Sequence, residues 1–197
     1  MPGRLCLTRD LAEEEGAPPD TPRRNIAPGQ PLRVLTPEGW RVMRWGIIPV
    51  GRVNARGRPV METIVNARSE TVFDKSAFDG LRRAAVPMDG WYEWTGETRR
   101  KMAWRITRRD GGLIWFAAVW DVWTAPGGQE LAQVATVTCP PSADVRDIHH
   151  RMGVILEKNQ LSIWLHGEQA EAAALMQPYG EGQLDVSPVT DVDWSAP

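Results

Sequence analysis

Cysteine, lysine and long apolar runs are scarce in this chain, and each shortage removes a class of function. Cys6 and Cys139 are the only thiols among 197 residues. Two are too few for a disulfide framework or a cysteine-rich zinc site. No apolar stretch approaches the roughly 20 residues that cross a bilayer, and the N-terminus has no basic-then-apolar signal. A cytoplasmic chain with no membrane partner is therefore expected. The G-x-S-x-G elbow, the P-loop and the dinucleotide glycine fingerprint are all missing. His149 and His150 are adjacent, so their side chains diverge in extended backbone. With no acidic or cysteine cluster at ligand spacing, neither a metal nor another cofactor is expected. A net charge of -2 excludes a polycation that coats nucleic acid, but leaves room for a local basic groove.

What is present is uneven. Of the 23 basic residues only Lys75, Lys101 and Lys158 are lysines, which leaves 20 arginines. Arginine suits bidentate phosphate binding and stacking on bases, although a genome-wide codon bias produces the same count. Ten tryptophans are enough to fill a core and to leave one or two as a platform for unstacked bases.

In chain order, Leu5, Cys6 and Leu7 read as a short buried strand, and the acidic, proline-rich stretch 10–22 as a short helix followed by a loop. Residues 32–35 and 40–45 read as paired strands around Pro37, Glu38 and Gly39. Residues 50–59 form a Gly- and Arg-containing loop. The tetrapeptide V-N-A-R occurs at 53–56 and again at 65–68, where S-E-T follows it. Phe78, Leu81 and Arg82 stand at helical spacing, predicting a short helix over 76–83 that ends before Val86-Pro87. Strands are expected at 102–107, 113–120 and 131–138, a loop at 139–151 and a short apolar segment at 154–156. Helices are expected at 162–165 and 168–177, and a closing strand at 184–192. The sum is one domain over residues 1–197, α+β, with a barrel-like, mostly antiparallel curved sheet flanked by short helices.

The stretch P-M-D-G-W-Y-E-W, residues 87–94, is the most informative. Asp89-Gly90 reads as a turn feeding a strand, whose alternation sets Trp91 and Glu93 on one face and Tyr92 and Trp94 on the other. A carboxylate among aromatics loses water, which raises its pKa toward a range where it both gives and takes protons. An isolated strand Glu is ordinarily only a surface carboxylate, so its company matters. His149, in a loop with Asp147, His150 and Arg151, is a plausible proton shuttle, though a lone loop histidine is usually just exposed. Cys139 follows an apolar strand and precedes Pro140-Pro141, the setting of a packed small residue rather than a nucleophile.

Several motifs occur in a fixed order: M-x-G-R at the start, R-N-I-A-P-G-Q, R-W-G-I-I-P, V-N-A-R-S-E-T, V-P-M-D-G-W-Y-E-W and D-I-H-H-R-M-G-V-I-L. Together they resemble the SOS-response-associated peptidase (SRAP) family of abasic-site processing proteins, from residue 1 to about residue 165, with a weaker echo in S-P-V-T-D-V at 187–192. The resemblance implies a monomeric protein of DNA damage and repair. It would bind single-stranded DNA and capture the aldehyde of an abasic site. Motif by motif, it implies Asn66 as the orienting amide, Glu93 as the acid/base carboxylate and His149 as the proton-transfer histidine. It also implies Arg4 and Arg68 as phosphate contacts, with Trp45 and Trp94 shaping the DNA channel.

One departure bears on mechanism. The family's second residue is a cysteine, whose amine and thiol close on the aldehyde as a thiazolidine; here it is Pro2. Cys6 is no substitute, since four extended residues span roughly 13 Å. His150 stands where the family has Asp, Gly153 where it has Pro, and Arg24 where an aromatic is usual. If Met1 is removed, Pro2 is a secondary amine that forms an iminium with an aldehyde and favours β-elimination, a lyase outcome. Two other readings stand beside this one. The chain is a non-covalent single-stranded DNA-binding relative, or a peptidase, formally a hydrolase and protease, acting on its own N-terminus.

Overall fold

The computed structural model describes residues 2–19, 21–49, 63–75, 78, 80–97, 101–125 and 127–196. Among the described residues the regular elements are thirteen strands and two short helices, with a 3-10 turn at Lys158–Gln160. The strands are β1 Arg4–Leu7, β2 Arg23–Ile26, β3 Pro31–Thr36, β4 Gly39–Trp45, β5 Asn66–Arg68, β6 Arg82–Met88, β7 Gly90–Thr95, β8 Met102–Arg108, β9 Ile114–Thr124, β10 Glu130–Cys139, β11 Met152–Gly153, β12 Ile155–Leu156 and β13 Leu184–Val189. The helices are α1 Leu161–His166 and α2 Gln169–Ala174.

The strands form two sheets. A five-stranded antiparallel sheet runs β13-β8-β7-β1-β2. In the larger sheet, β9 pairs β6, β6 pairs β3, β3 pairs β4, β4 pairs β10, and β10 returns to β9. The expected α+β fold with a barrel-like sheet takes this form, a ring of pairings that is antiparallel except where β10 meets β4 and β5. β9, I-W-F-A-A-V-W-D-V-W-T, buries its first seven residues, as a strand flanked on both sides must. Ala84, Ala85, Ala117, Ala118 and Ala135 are all fully buried. Their small side chains leave room for Trp45, Trp120 and Phe116 in a close-packed interior. Phe116 meets Trp91 of β7 at 5.2 Å and so ties one sheet to the other. α1 closes over β6, with the Trp164 indole N–H donating to the Ala84 carbonyl at 2.7 Å.

Several local expectations change. Residues 10–22 contain only isolated turns among those described, because proline and glycine interrupt any helical run. Arg82 and Arg83 begin β6 rather than ending a helix, as pairing with β9 overrides the helical spacing. Residues 76, 77 and 79 of that expected helix lie outside the described residues, as does all of loop 50–59, including the first V-N-A-R at 53–56. The bend at Asp89-Gly90 feeds β7 as expected, and it is the point where the chain leaves the ring for the five-stranded sheet. A Cβ on Gly90 would stand 2.5 Å from the Ile106 carbonyl oxygen, so only glycine allows β8 to lie this close. Asp89 fixes the crossing by accepting from the Thr8 hydroxyl at 2.6 Å and Arg9 Nε at 2.9 Å.

Candidate functional site

The site forms where the head of β1 meets the ring. Asn66 opens β5, and β5 lies parallel to β10 with Asn66 opposite Thr136. The Thr136 hydroxyl donates to Asn66 Oδ1 at 2.6 Å, which points Nδ2 the other way, where it donates to the Pro2 carbonyl at 2.9 Å. Ala67 faces the core, and Arg68, two residues on from Asn66, shares its face and is exposed. The amide therefore has one orientation, held from both ends.

Glu93 lies on β7, which pairs directly with β1. The side chain is only 3% exposed. Burial is the main cause that lifts its carboxyl from 4.5 to about 7, against opposing pulls from the charged amino terminus and the Trp91 indole. The predicted alternation holds: Trp91 packs on Phe116, while Tyr92 and Trp94 both meet Trp194 on the opposite face.

His149 is half-buried in the loop after β10. The Arg151 backbone N–H donates to its Nδ1 at 3.0 Å, an arrangement that puts the neutral ring's proton on Nε2. With the proton on Nδ1 instead, the same atom meets the Arg151 carbonyl at 3.1 Å, so the loop accommodates either tautomer. Burial first, and the amino-terminal charge second, lower its pKa and favour the neutral ring. The loop is pinned by Arg151, which pairs bidentately with Glu70 and also donates to the Thr138 carbonyl. That pairing holds the Glu70 carboxyl down at about 2. Glu93 and His149 thus sense the same amino-terminal charge, while Asn66 holds the Pro2 carbonyl.

The expected DNA contacts fare differently. Arg4 is half-buried and donates to Asn25 Oδ1 at 2.8 Å, and Trp94 is half-buried against Trp194. Trp45 is corrected to a core residue. It is 0% exposed and its indole N–H donates to the Val65 carbonyl at 3.2 Å, so it presents no face to a base. Both thiols are buried, Cys6 raised by burial and Cys139 pushed up to about 12, also by burial, so neither is a ready nucleophile.

Sequence reasoning missed Thr136, Asn25, Glu70 and Trp194. Asn25 lay inside a quoted motif and Glu70 inside another, but a threonine in an apolar strand carries no signal of its own. A separate cavity of about 420 Å³ is lined in part by Thr8, Arg9, Asp89, Arg105 and Arg108. Arg9 pairs with Asp89, and Arg108 with Asp110 and Glu157, so much of its charge is spent on structure. Among the described residues no group of His, Cys, Asp and Glu is placed to hold a metal ion, and no helix is long and apolar enough to cross a membrane.

The family model for the SOS response associated peptidase (SRAP) matches residues 2–192, and the chain belongs to that family. Among curated relatives, the abasic site processing protein YoqW of Bacillus subtilis is 29% identical over 182 residues, covering 87% of this chain and 80% of that protein. The mouse (Mus musculus) abasic site processing protein HMCES is also 29% identical over 182 residues, covering 76% of this chain and 52% of its own. A crystal structure of a protein from Bacteroides thetaiotaomicron superposes with a TM-score of 0.84 at 22% identity, covering 95% of this chain and 92% of that one. One from Bordetella bronchiseptica gives 0.81 at 23% identity, covering 96% and 100%. These two establish likeness of fold.

Proposed function

We propose that this protein processes abasic sites in single-stranded DNA by forming a Schiff base between its Pro2 nitrogen and the ring-opened sugar aldehyde. Relatives that bear the name abasic site processing protein align over most of the chain. The observation that carries the reading is the Thr136–Asn66–Pro2 chain of hydrogen bonds beside a buried Glu93 with a carboxyl near neutrality.

Once Met1 is removed, Pro2 presents a secondary amine. Its lone pair forms a bond to C1′ of the aldehyde while the carbonyl oxygen takes a proton from Glu93 in its acid form. The amine N–H proton then returns to the Glu93 carboxylate. A second protonation lets the hydroxyl leave as water, and an iminium ion remains. Nitrogen now bears no hydrogen, so the cation has no neutral imine in which to rest, and C2′–H becomes acidic. Neutral His149, or the Glu93 carboxylate, takes that proton and leaves an enamine. The enamine's electron pair expels the 3′ phosphate from C3′, and water hydrolyses the resulting iminium to free the amine. No thiol stands beside the nitrogen, so the intermediate is transient rather than a durable cross-link. Arg68, exposed on the face of Asn66, supplies a phosphate contact.

Intact-mass measurement first establishes whether Met1 leaves. Borohydride reduction with abasic single-stranded DNA should then yield a covalent adduct that acetylation of the terminal nitrogen abolishes. Normal DNA binding with no adduct sinks this reading. The missing thiol would then favour a binding protein that has lost covalent chemistry, one whose affinity falls with salt and with loss of Arg68.

A further inference from the structure

We propose that residues 191–196, D-V-D-W-S-A, form a strap that imitates single-stranded DNA beside the site and leaves when a strand binds; this rests on the DNA reading above. After β13 the chain turns back across the outer face of the five-stranded sheet. The Trp194 ring stands edge-on to Tyr92, with centroids 5.0 Å apart at 89°, and to Trp94, at 5.1 Å and 62°. The Asp191 carboxylate pairs with Arg24 at 2.9 Å. Asn25 joins the strap to the sheet. Its Nδ2 donates to the carbonyls of Asp193, at 3.2 Å, and of Ala196, while its Oδ1 accepts from Arg4.

Position gives these contacts their meaning. Arg4 lies opposite Tyr92 in the β1–β7 pairing, and continuing that antiparallel register sets Pro2 level with Trp94. The indole of Trp194 therefore lies against a tryptophan level with the proposed nucleophile, on the face of β7 opposite Glu93. Asp191 and Asp193 precede the ring, so the strap offers two features that DNA also presents, an aromatic plane and nearby negative charge. Trp194 occupies, edge-on, the side of Trp94 that a base would use, and Asp191 takes the place of a phosphate on Arg24. The strap is also weakly held. Asp191, Asp193, Ser195 and Ala196 are exposed, the Asp191–Arg24 pair is solvated, and Asp193 spends its carboxylate on Ser195 within the strap itself. A polyanion that engages several arginines at once outcompetes it. Its departure frees the Asn25 amide, Arg24 and the Trp94 face together, so strap and DNA exclude one another.

The test is binding of a fluorescent oligothymidylate, without an abasic site, to the full-length protein and its variants. Trp194→Ala should tighten binding about three- to tenfold, the equilibrium worth of one aromatic contact, and Asp191→Asn about two- to fivefold, that of one solvated ion pair. Asp191→Asn should also steepen the salt dependence by about one phosphate contact. Asp185→Asn removes the same charge from the Arg109 pair on β13 and should change affinity less than about twofold. In hydrogen exchange on the wild type, added oligomer should speed exchange in residues 191–196 while protecting the sheet. If Trp194→Ala perturbs folding, the exposed Asp191→Asn carries the same test. Unchanged or weaker binding by the variants, or slower exchange in the strap, overturns the proposal and leaves the DNA reading intact. If no chain binds the oligomer, both fall.

Discussion

Replacing Glu93 by Gln should stabilise the protein in mild alkali and leave it almost unchanged in acid. The folded carboxyl has its pKa raised from 4.5 to about 7, so the native state holds that proton more tightly than the unfolded chain does. Below 4.5 both states are protonated, and the carboxyl costs nothing beyond its packing. Between 4.5 and about 7 the unfolded chain ionises while the folded one resists, and stability falls as pH rises; above about 7 the loss is complete. At 1.36 kcal/mol per pH unit the full loss is about 3 kcal/mol. Glu93 is only 3% exposed, so solvent screening takes little from this figure. For a chain of this size, each kcal/mol moves the melting temperature by about 2–4 °C, so the variant should melt about 6–12 °C above wild type at pH 8. At pH 4 the gap should nearly close. Thermal melts of both proteins at the two pH values provide the measurement. Any hydrogen bond that the amide makes less well shifts both values equally and cancels in the difference. A gap of the same size at both pH values, or a wild type that is the more stable at pH 8, refutes the burial of an ionisable Glu93.

Two further substitutions probe the frame around it. Thr136→Val removes the donor to Asn66 Oδ1, a bond of 2.6 Å, and should cost about 1–2 kcal/mol while slowing adduct formation about tenfold; Thr136→Ser should restore both, read by melting and by borohydride trapping. Gly153→Ala places a Cβ 2.4 Å from the Phe116 ring and should cost about 2 kcal/mol or more. Phe116→Leu, harmful alone, should recover part of that loss in the double variant, and additive melting shifts would show that the two side chains do not compete for the space.

The legible parts of this fold are those set by local pattern. The alternation in W-Y-E-W assigned both faces of β7 correctly, because one face packs on Phe116 and the other on Trp194. The β3–β4 hairpin was equally plain from its turn residues. β6 was not, since Leu81 and Arg82 mimic helical spacing and Pro87 argues against a strand within a sheet. Pairing on both sides with β3 and β9 overrode that signal. Trp45, which the resemblance implies at the DNA channel, is buried, because nothing local distinguishes a tryptophan in a groove from one in a core. Thr136 and Trp194 were invisible for a related reason. Their partners, Asn66 and Trp94, lie 70 and 100 residues away in sequence, and no periodicity reports a contact of that range.

On the proposed chemistry, the buried carboxylate matters more to a proline nucleophile than to a thiol. An amine attacks only when unprotonated, and in water a terminal ammonium with a pKa of about 8 gives its proton to a glutamate, at about 4.3, only about once in several thousand encounters. The two groups prefer to remain an ion pair. Burial penalises that pair twice, once on each charge, and favours moving the proton from nitrogen to oxygen, after which both are neutral. The burial that lifts the Glu93 carboxyl to about 7 narrows the gap between the two pKa values and enlarges the share of molecules with a neutral amine beside a neutral acid. That state is also the one the first step needs, since the acid is already placed to protonate the aldehyde oxygen as the nitrogen attacks. A cysteine at position 2 would capture the iminium regardless of this balance. Pro2 has no such capture, so on the proposed chemistry the desolvation of Glu93 sets both the supply of nucleophile and the proton that completes the step.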